Sequence, residues 1–237
     1  TLWDRRGGLI LNTLAQGQLE EWGLSSVEGA DSFALGEELR RYPEKSIVRF
    51  EHGGVRYFLK RYHYSRALFF IRSLLKFNFP VFSGPIELKR LEQLANSGFR
   101  VPEALAAGIG GTLFRGLSFI VLKELSGQSL EDLVQSPKLG AISLRRQRER
   151  AKSLGLWIRR FHDAGFCHKD LYLCHLFLND KNEWGLLDCE RVVHRQTAVP
   201  RRWIIKDLAA LYYSSKGVER SCRLSFLAGY FGKLSAS

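Results

Sequence analysis

The chain has 237 residues, with 36 Lys and Arg against 24 Asp and Glu for a formal net charge of +12, and it is 45% hydrophobic and 12% aromatic. That balance excludes intrinsic disorder, and the length carries one domain or two small lobes without metal or disulfide staples. No apolar run reaches the roughly 18 uncharged residues of a spanning helix, and Thr1–Gly8 lacks the apolar core of a secretory signal.

In chain order, Leu9–Leu11 reads as a short strand, and Gly and Ser punctuate the chain from there to residue 35. Strands then dominate: Leu39–Tyr42, Ser46–Phe50, a hairpin turn at Gly53-Gly54, and Val55–Arg61. In the last of these, Val55, Tyr57 and Leu59 alternate with Arg56, Phe58 and Lys60. Ser65 is a candidate cap for a helix to Lys76, and residues 85–97 form a second helical pattern stopped by Ser97-Gly98. Val101–Gly108 and Leu117–Leu122 read as strands, the second fully apolar and therefore central. Gly127–Leu130 opens a helix, and a longer one runs from Ser143 to Ala164, with Ala151, Leu154, Ile158 and Phe161 inward and Gly165 as its stop. Strands flank Asp170 to Asp188, and helices finish the chain. The pattern is α+β in two lobes, residues 1–123 and 124–237, with no internal repeat.

Cys167, Cys174, Cys189 and Cys222 contain no C-x-x-C pair, so reduced thiols are expected rather than a zinc ribbon or a disulfide framework. The charge is uneven: residues 1–122 carry +4 and residues 123–237 carry +8. No acid occurs between Glu51 and Glu87, where Arg56, Lys60, Arg61, Arg66, Arg72 and Lys76 interleave with Tyr and Phe. Basic-aromatic interleaving suits an anionic lipid surface, a nucleic acid, or simple packing on the sheet. No helix-turn-helix, zinc-finger or RNA-binding signature accompanies it, so nucleic acid is not the expected partner.

The stretch Phe166–Asn179 and then Trp184–Glu190 carries the chemistry. His168, Asp170 and His175 fall within eight residues, and Asp188 ends the apolar Leu186-Leu187. Each alone reads as readily as a structural residue. Together they fit phosphoryl transfer, which needs one carboxylate to meet a hydroxyl, another to hold a metal, and a Lys for the phosphate oxygens.

The segment resembles the catalytic loop and metal strand of the protein-kinase-like fold, H-x-D-x-x-x-x-(N/H) and then a strand ending L-D. It is most similar to the bacterial lipopolysaccharide core kinases, the heptose (I) kinase and Kdo kinase family. His168-Lys-Asp-Leu-Tyr-Leu-Cys-His175 resembles their loop, and Pro200–Tyr213 resembles the heptose kinase branch. The likeness spans residues 35–231. It implies a two-lobed fold with a small antiparallel-sheet N-lobe and a trimmed, mostly helical C-lobe.

The resemblance also implies roles. Asp170 would orient the sugar hydroxyl, with Lys60 and His168 completing the catalytic group. Lys60 would contact the nucleotide phosphates, Glu87 would hold Lys60, and the backbone of Glu124 and Leu125 would bind adenine. His175 and Asp188 would bind the metal, and Asp207 would brace the loop as a helix-capping carboxylate. Arg201 and Arg202 would meet the acceptor's anionic groups. The bland alternatives are an exposed strand Lys60, a Glu87 that merely favours a helix N-terminus, and an Asp207 that only caps.

There are departures from the family pattern. The turn Arg41–Ser46 has no Gly where a phosphate-covering loop should be, which leaves backbone amides and Lys45 for the phosphates. His175 replaces Asn, which points to Mn²⁺ tolerance beside Mg²⁺ or to a single-metal site. Cys189-Glu190 replaces Phe-Gly, and no Ala-Pro-Glu lies between Asp188 and Asp207, so a peptide substrate is disfavoured. The expected activity is an ATP-dependent phosphotransferase on a heptose hydroxyl of the lipopolysaccharide inner core, or on a lipid-linked sugar, peripheral on the cytoplasmic face of an anionic inner membrane. A non-catalytic kinase-like envelope-stress module and a small Ser/Thr/Tyr protein kinase are the alternatives.

Overall fold

Gly53 and Gly54 take φ of +60° and +73°, which glycine adopts without steric cost, and so close the hairpin between β4 (Lys45–His52) and β5 (Val55–Tyr64). The computed structural model describes residues 3–6, 8–42, 44–64, 84–111, 116–136 and 142–232. The helix expected from Ser65 to Lys76 lies outside the described residues. The chain divides into two compact units, residues 1–92 with 102–124 and residues 93–101 with 125–237.

In the first unit, β1 (Trp3–Arg6), β2 (Leu9–Asn12), β3 (Glu37–Tyr42), β6 (Ala104–Gly111) and β7 (Gly116–Lys123) join the hairpin. They make one antiparallel sheet ordered β1-β2-β6-β7-β5-β4-β3. β7 is its middle strand, and Leu117 to Leu122 are buried on both faces, which is why that strand lacks the usual polar alternation. On one face Val48, Phe50, Tyr57, Leu59, Phe119 and Val121 pack against Leu19, Trp22, Leu24, Ala30 and Phe33. These last come from α1 (Gln16–Glu21), α2 (Val27–Ser32) and their flanks. Trp22 is the hinge of this cluster, with its ring 4.8 Å from Tyr57 and 5.1 Å from Phe50. Residues 3–35, which carry little local signal, thus extend the sheet and cover it. The opposite face presents Lys60 and Tyr62 to α3 (Gly84–Asn96).

The second unit is mostly helical: α4 (Leu130–Gln135), α5 (Leu144–Asp163), α6 (Arg201–Ser214) and α7 (Arg220–Phe231). Ser129 and Ser143 cap α4 and α5, each accepting from an amide three residues on. Leu154, Ile158 and Phe161 bury the inner stripe of α5, while Arg145 and Arg148 stay exposed on its outer side. α5 and α7 cross at glycines. A Cβ on Gly155 would stand 2.2 Å from the Phe226 carbonyl oxygen, and one on Gly229 would stand 2.2 Å from that of Lys152. β8 (Gln128–Ser129), β10 (Leu176–Leu178) and β11 (Trp184–Leu186) form a small antiparallel sheet, and β9 (Phe166–Cys167) pairs with β12 (Val193–His194). These short strands suspend the segment from His168 to Asp188.

Candidate active site

In the first unit, Lys60 projects from β5 away from the main core, because Leu59 on its neighbouring position points into it. Its Nζ lies 2.7 Å from Oε1 of Glu87 in the first turn of α3, and the Tyr62 hydroxyl donates to Oε2 of the same carboxylate at 3.0 Å. Both side chains of the pair are buried, so Lys60 is not the exposed strand residue of the bland reading. Lys45, beside the turn without glycine, sits with its ammonium 5.4 Å from the Tyr62 ring centroid. Glu124 ion-pairs with Arg56 at 2.9 Å, and its own amide donates to the Arg56 carbonyl at 2.9 Å. The Glu124 N–H is therefore committed within the sheet, and Leu125 beside it is buried.

The second unit holds the loop. Asp207 lies within α6 and is completely buried. The expectation of a helix-capping carboxylate is corrected, since Asp207 is in the seventh position of the helix rather than at its start. Its Oδ2 accepts from the His168 amide at 2.7 Å and its Oδ1 from the Lys169 amide at 2.7 Å. His162 of α5 adds a contact from Nε2 at 3.3 Å, and its Nδ1 shares a hydrogen bond with the Tyr230 hydroxyl of α7 at 2.7 Å. Burial pushes the Tyr230 phenol up to about 12, which keeps that hydroxyl a donor. A chain of buried bonds thus runs from α7 through α5 and α6 to the backbone of the loop. It holds Lys169 at φ of 71°, a left-handed conformation that non-glycine residues rarely adopt.

Around this support the sequence candidates separate by role. His168 has no exposed surface, and its Nε2 lies 3.0 Å from the Leu187 carbonyl. Burial, and then the neighbouring His175, pushes its proton affinity below the usual range. It is a neutral ring tying the loop to the end of β11, so its placing among groups that meet a substrate is corrected to a positioning role. His175 contacts the Asp170 carbonyl through Nδ1 at 2.8 Å, which leaves Nε2 facing Oδ2 of Asp188 at 3.7 Å. Burial works against protonation of His175, but hydrogen bonds with the Cys174 thiol and the Asp170 carbonyl, and the Asp188 charge, outweigh it and raise its proton affinity. Asp188 is itself left-handed, with φ of 56°.

Were a divalent ion bound here, Nε2 and the carboxylate would be its candidate donors, a nitrogen-oxygen pair that suits Mn²⁺ better than the oxygen-preferring Mg²⁺. Among the described residues there is no cluster of three or more His, Cys, Asp or Glu side chains able to hold a metal. Asp170 is clamped by Arg191, whose Nη1 stands 2.8 Å from Oδ2 and 3.1 Å from Oδ1. Sequence reasoning passed over Arg191. Its only signal was a basic residue three positions after Asp188. Arg201 and Arg202 are exposed in the first turn of α6.

The sequence profile of the Lipopolysaccharide kinase (Kdo/WaaP) family matches residues 34–230. The lipopolysaccharide core heptose(I) kinase WaaP of Escherichia coli (strain K12) is 31% identical over 221 residues, covering 86% of this chain and 83% of that protein. The protein of the same name from Pseudomonas aeruginosa is 31% identical over 219 residues, covering 86% and 81%. A solved structure, WaaP in complex with acyl carrier protein, has a TM-score of 0.71 at 26% identity, covering 94% of this chain and 88% of that one. The chain belongs to the lipopolysaccharide kinase (Kdo/WaaP) family, and membership implies the use of ATP and a divalent metal.

Proposed function

We propose, on that membership, that the chain transfers the γ-phosphoryl group of ATP to a hydroxyl of a lipopolysaccharide core sugar, with heptose the acceptor as in the names of its relatives. The reading is supported by the second-unit loop, in which Arg191 pairs with the Asp170 carboxylate and His175 Nε2 faces the Asp188 carboxylate. The acceptor oxygen forms a bond to the γ-phosphorus, the bond from that phosphorus to the β–γ bridging oxygen breaks, the hydroxyl proton passes to Asp170, and ADP leaves. His175 and Asp188 would hold a divalent ion, which would supply charge neutralisation at the phosphate oxygens. Lys60, fixed by Glu87, is assigned to the nucleotide phosphates, and Leu125 to adenine. Arg201 and Arg202 are assigned to the acceptor.

The test is purified protein with ATP, Mg²⁺ or Mn²⁺, and dephosphorylated core acceptor, comparing wild type with Asp170→Ala and Asp188→Ala. Transfer by wild type alone is expected, and equal transfer by all three refutes the assignment.

We also infer peripheral attachment to an anionic membrane face. The +12 charge and the acid-free residues 52–86 support it. Among the described residues no helix is long and apolar enough to cross a membrane. Sedimentation with phosphatidylglycerol vesicles should weaken as salt rises. An acyl carrier protein is a further expected partner, supported by the relative solved with one and by an apolar cavity of about 370 Å³ lined by Leu130, Leu154, Leu173, Leu211 and Leu227. Gel filtration with acylated carrier protein tests it.

A further inference from the structure

Three cations gather on one indole beside the loop. The Lys169 ammonium lies 4.5 Å from the Trp203 ring centroid, the Arg195 guanidinium 5.5 Å and the Arg202 guanidinium 5.8 Å. All three fall within the roughly 6 Å over which an aromatic face attracts a cation. Three elements deliver them: the loop, the segment after β12, and the first turn of α6. Neither Lys169, Arg195 nor Arg202 makes an ion pair with an acid among the described residues. The indole attracts each cation only weakly, so most of their positive charge stays uncompensated. The arrangement gains most when an anion enters among them. Lys169 is further constrained, because its left-handed backbone is maintained by the bond from its amide to Asp207. Strain of this kind persists where the surrounding structure imposes it, and it clusters at ligand clamps.

We infer that Lys169, Arg195 and Arg202, gathered on Trp203, form an anion-binding subsite that takes a carboxylate or phosphate group of the acceptor. The subsite rests on the kinase reading and deepens it. Lys169 is the residue immediately before Asp170, so an acceptor anchored by its anionic group is held at the residue that receives the hydroxyl proton. The guanidiniums offer planar paired donors that match a carboxylate or phosphate, and the ammonium adds a point charge. Of the two arginines expected to meet the acceptor, only Arg202 joins this cluster. Lys169 lies inside the quoted loop motif but was given no role there, and Arg195 belongs to no motif. Their only signal is one basic residue in the loop and another after it, with a Trp in the next helix.

Arg195 and Arg202 are the test positions, because both side chains are exposed and neither supports the core. The experiment measures steady-state kinetics with ATP and lipid-free core oligosaccharide for wild type, Arg195→Ala and Arg202→Ala. Arg145→Ala removes the same charge from the outer side of α5 as a control. Each subsite variant should raise the acceptor KM by about ten-fold, with the ATP KM and kcat within about two-fold of wild type. With an oligosaccharide whose carboxylates are reduced to alcohols and whose phosphates are removed, wild type and variants should become alike. Equal acceptor KM across the panel overturns the subsite, as does the same rise in Arg145→Ala. A difference seen only with acceptor embedded in anionic vesicles also overturns it, and assigns the cations to lipid headgroups instead. Calorimetric binding of the oligosaccharide without ATP separates this inference from the kinase reading. Binding that depends on Arg195 and Arg202 without phosphoryl transfer would refute the kinase reading and leave the subsite standing.

Discussion

Asp207→Asn keeps the size and shape of the side chain and removes one acceptor face. The carboxylate accepts the amides of His168 and Lys169 on separate oxygens and takes the His162 ring as a third partner. An amide has a single oxygen, so one of those N–H groups must face the Asn NH₂, buried and without an acceptor. An unsatisfied buried donor costs about 1–3 kcal/mol, and the surviving bonds lose their charge assistance. The sum is about 3–5 kcal/mol, the range for removing one member of a buried charged network. In a chain of this size that corresponds to a fall in melting temperature of about 6–20 °C.

Released from Asp207, Lys169 also relaxes from its left-handed conformation, whose strain is of order 1–3 kcal/mol. The adjacent Asp170 then moves, and a shift near 1 Å costs about 100-fold in kcat. Asp207 has no exposed surface and touches no substrate, so both KM values should stay within about three-fold of wild type. Denaturant unfolding and steady-state kinetics on the same preparation read both effects. A loss of stability below about 1 kcal/mol together with kcat within two-fold of wild type would refute the reasoning.

Arg191→Ala frees Asp170 from its clamp and should lower kcat about ten-fold, with partial recovery on adding guanidine and in Arg191→Lys; the absence of any rescue by guanidine would make Arg191 merely structural. His175→Asn replaces the nitrogen donor by oxygen and should move the activation ratio from Mn²⁺ toward Mg²⁺, read from initial rates with each metal. Tyr230→Phe removes the hydroxyl that serves His162 and should cost about 1 kcal/mol in unfolding experiments at neutral pH. Tyr230 is raised to about 12 in the folded state from an ordinary value near 10. Its contribution is therefore complete below pH 10 and is lost as pH rises toward 12, and Tyr230→Phe should lack that alkaline decline.

The loop was legible because its residues are close in sequence. Asp170 and His175 lie five residues apart and are joined by a bond from the His175 ring to the Asp170 carbonyl, and Asp188 follows thirteen residues on, just past β11. The hairpin at Gly53-Gly54, the cap at Ser143 and the apolar run of β7 were legible for the same local reason. Apart from the strand at Leu9–Leu11, residues 3–35 were not. Their elements are four to six residues long, and Leu19, Trp22, Leu24 and Phe33 show no helical or alternating period. They are specified by the sheet face they cover.

By itself, the sequence determined the α+β character, the hairpin and strands of the sheet from residue 39 on, and the position of the loop segment from His168 to Asp188. Periodicity, turn residues and motif spacing are properties of neighbouring positions. Only the tertiary structure decided which polar groups satisfy which. Tyr230 reaches His162 across 68 positions, and Asp207 reaches His168 across 39. Arg191 closes on Asp170 across 21, and Trp203 collects three cations from separate elements. A buried donor or charge takes its partner from whatever the folded chain brings within hydrogen-bond distance, and no local pattern records that choice.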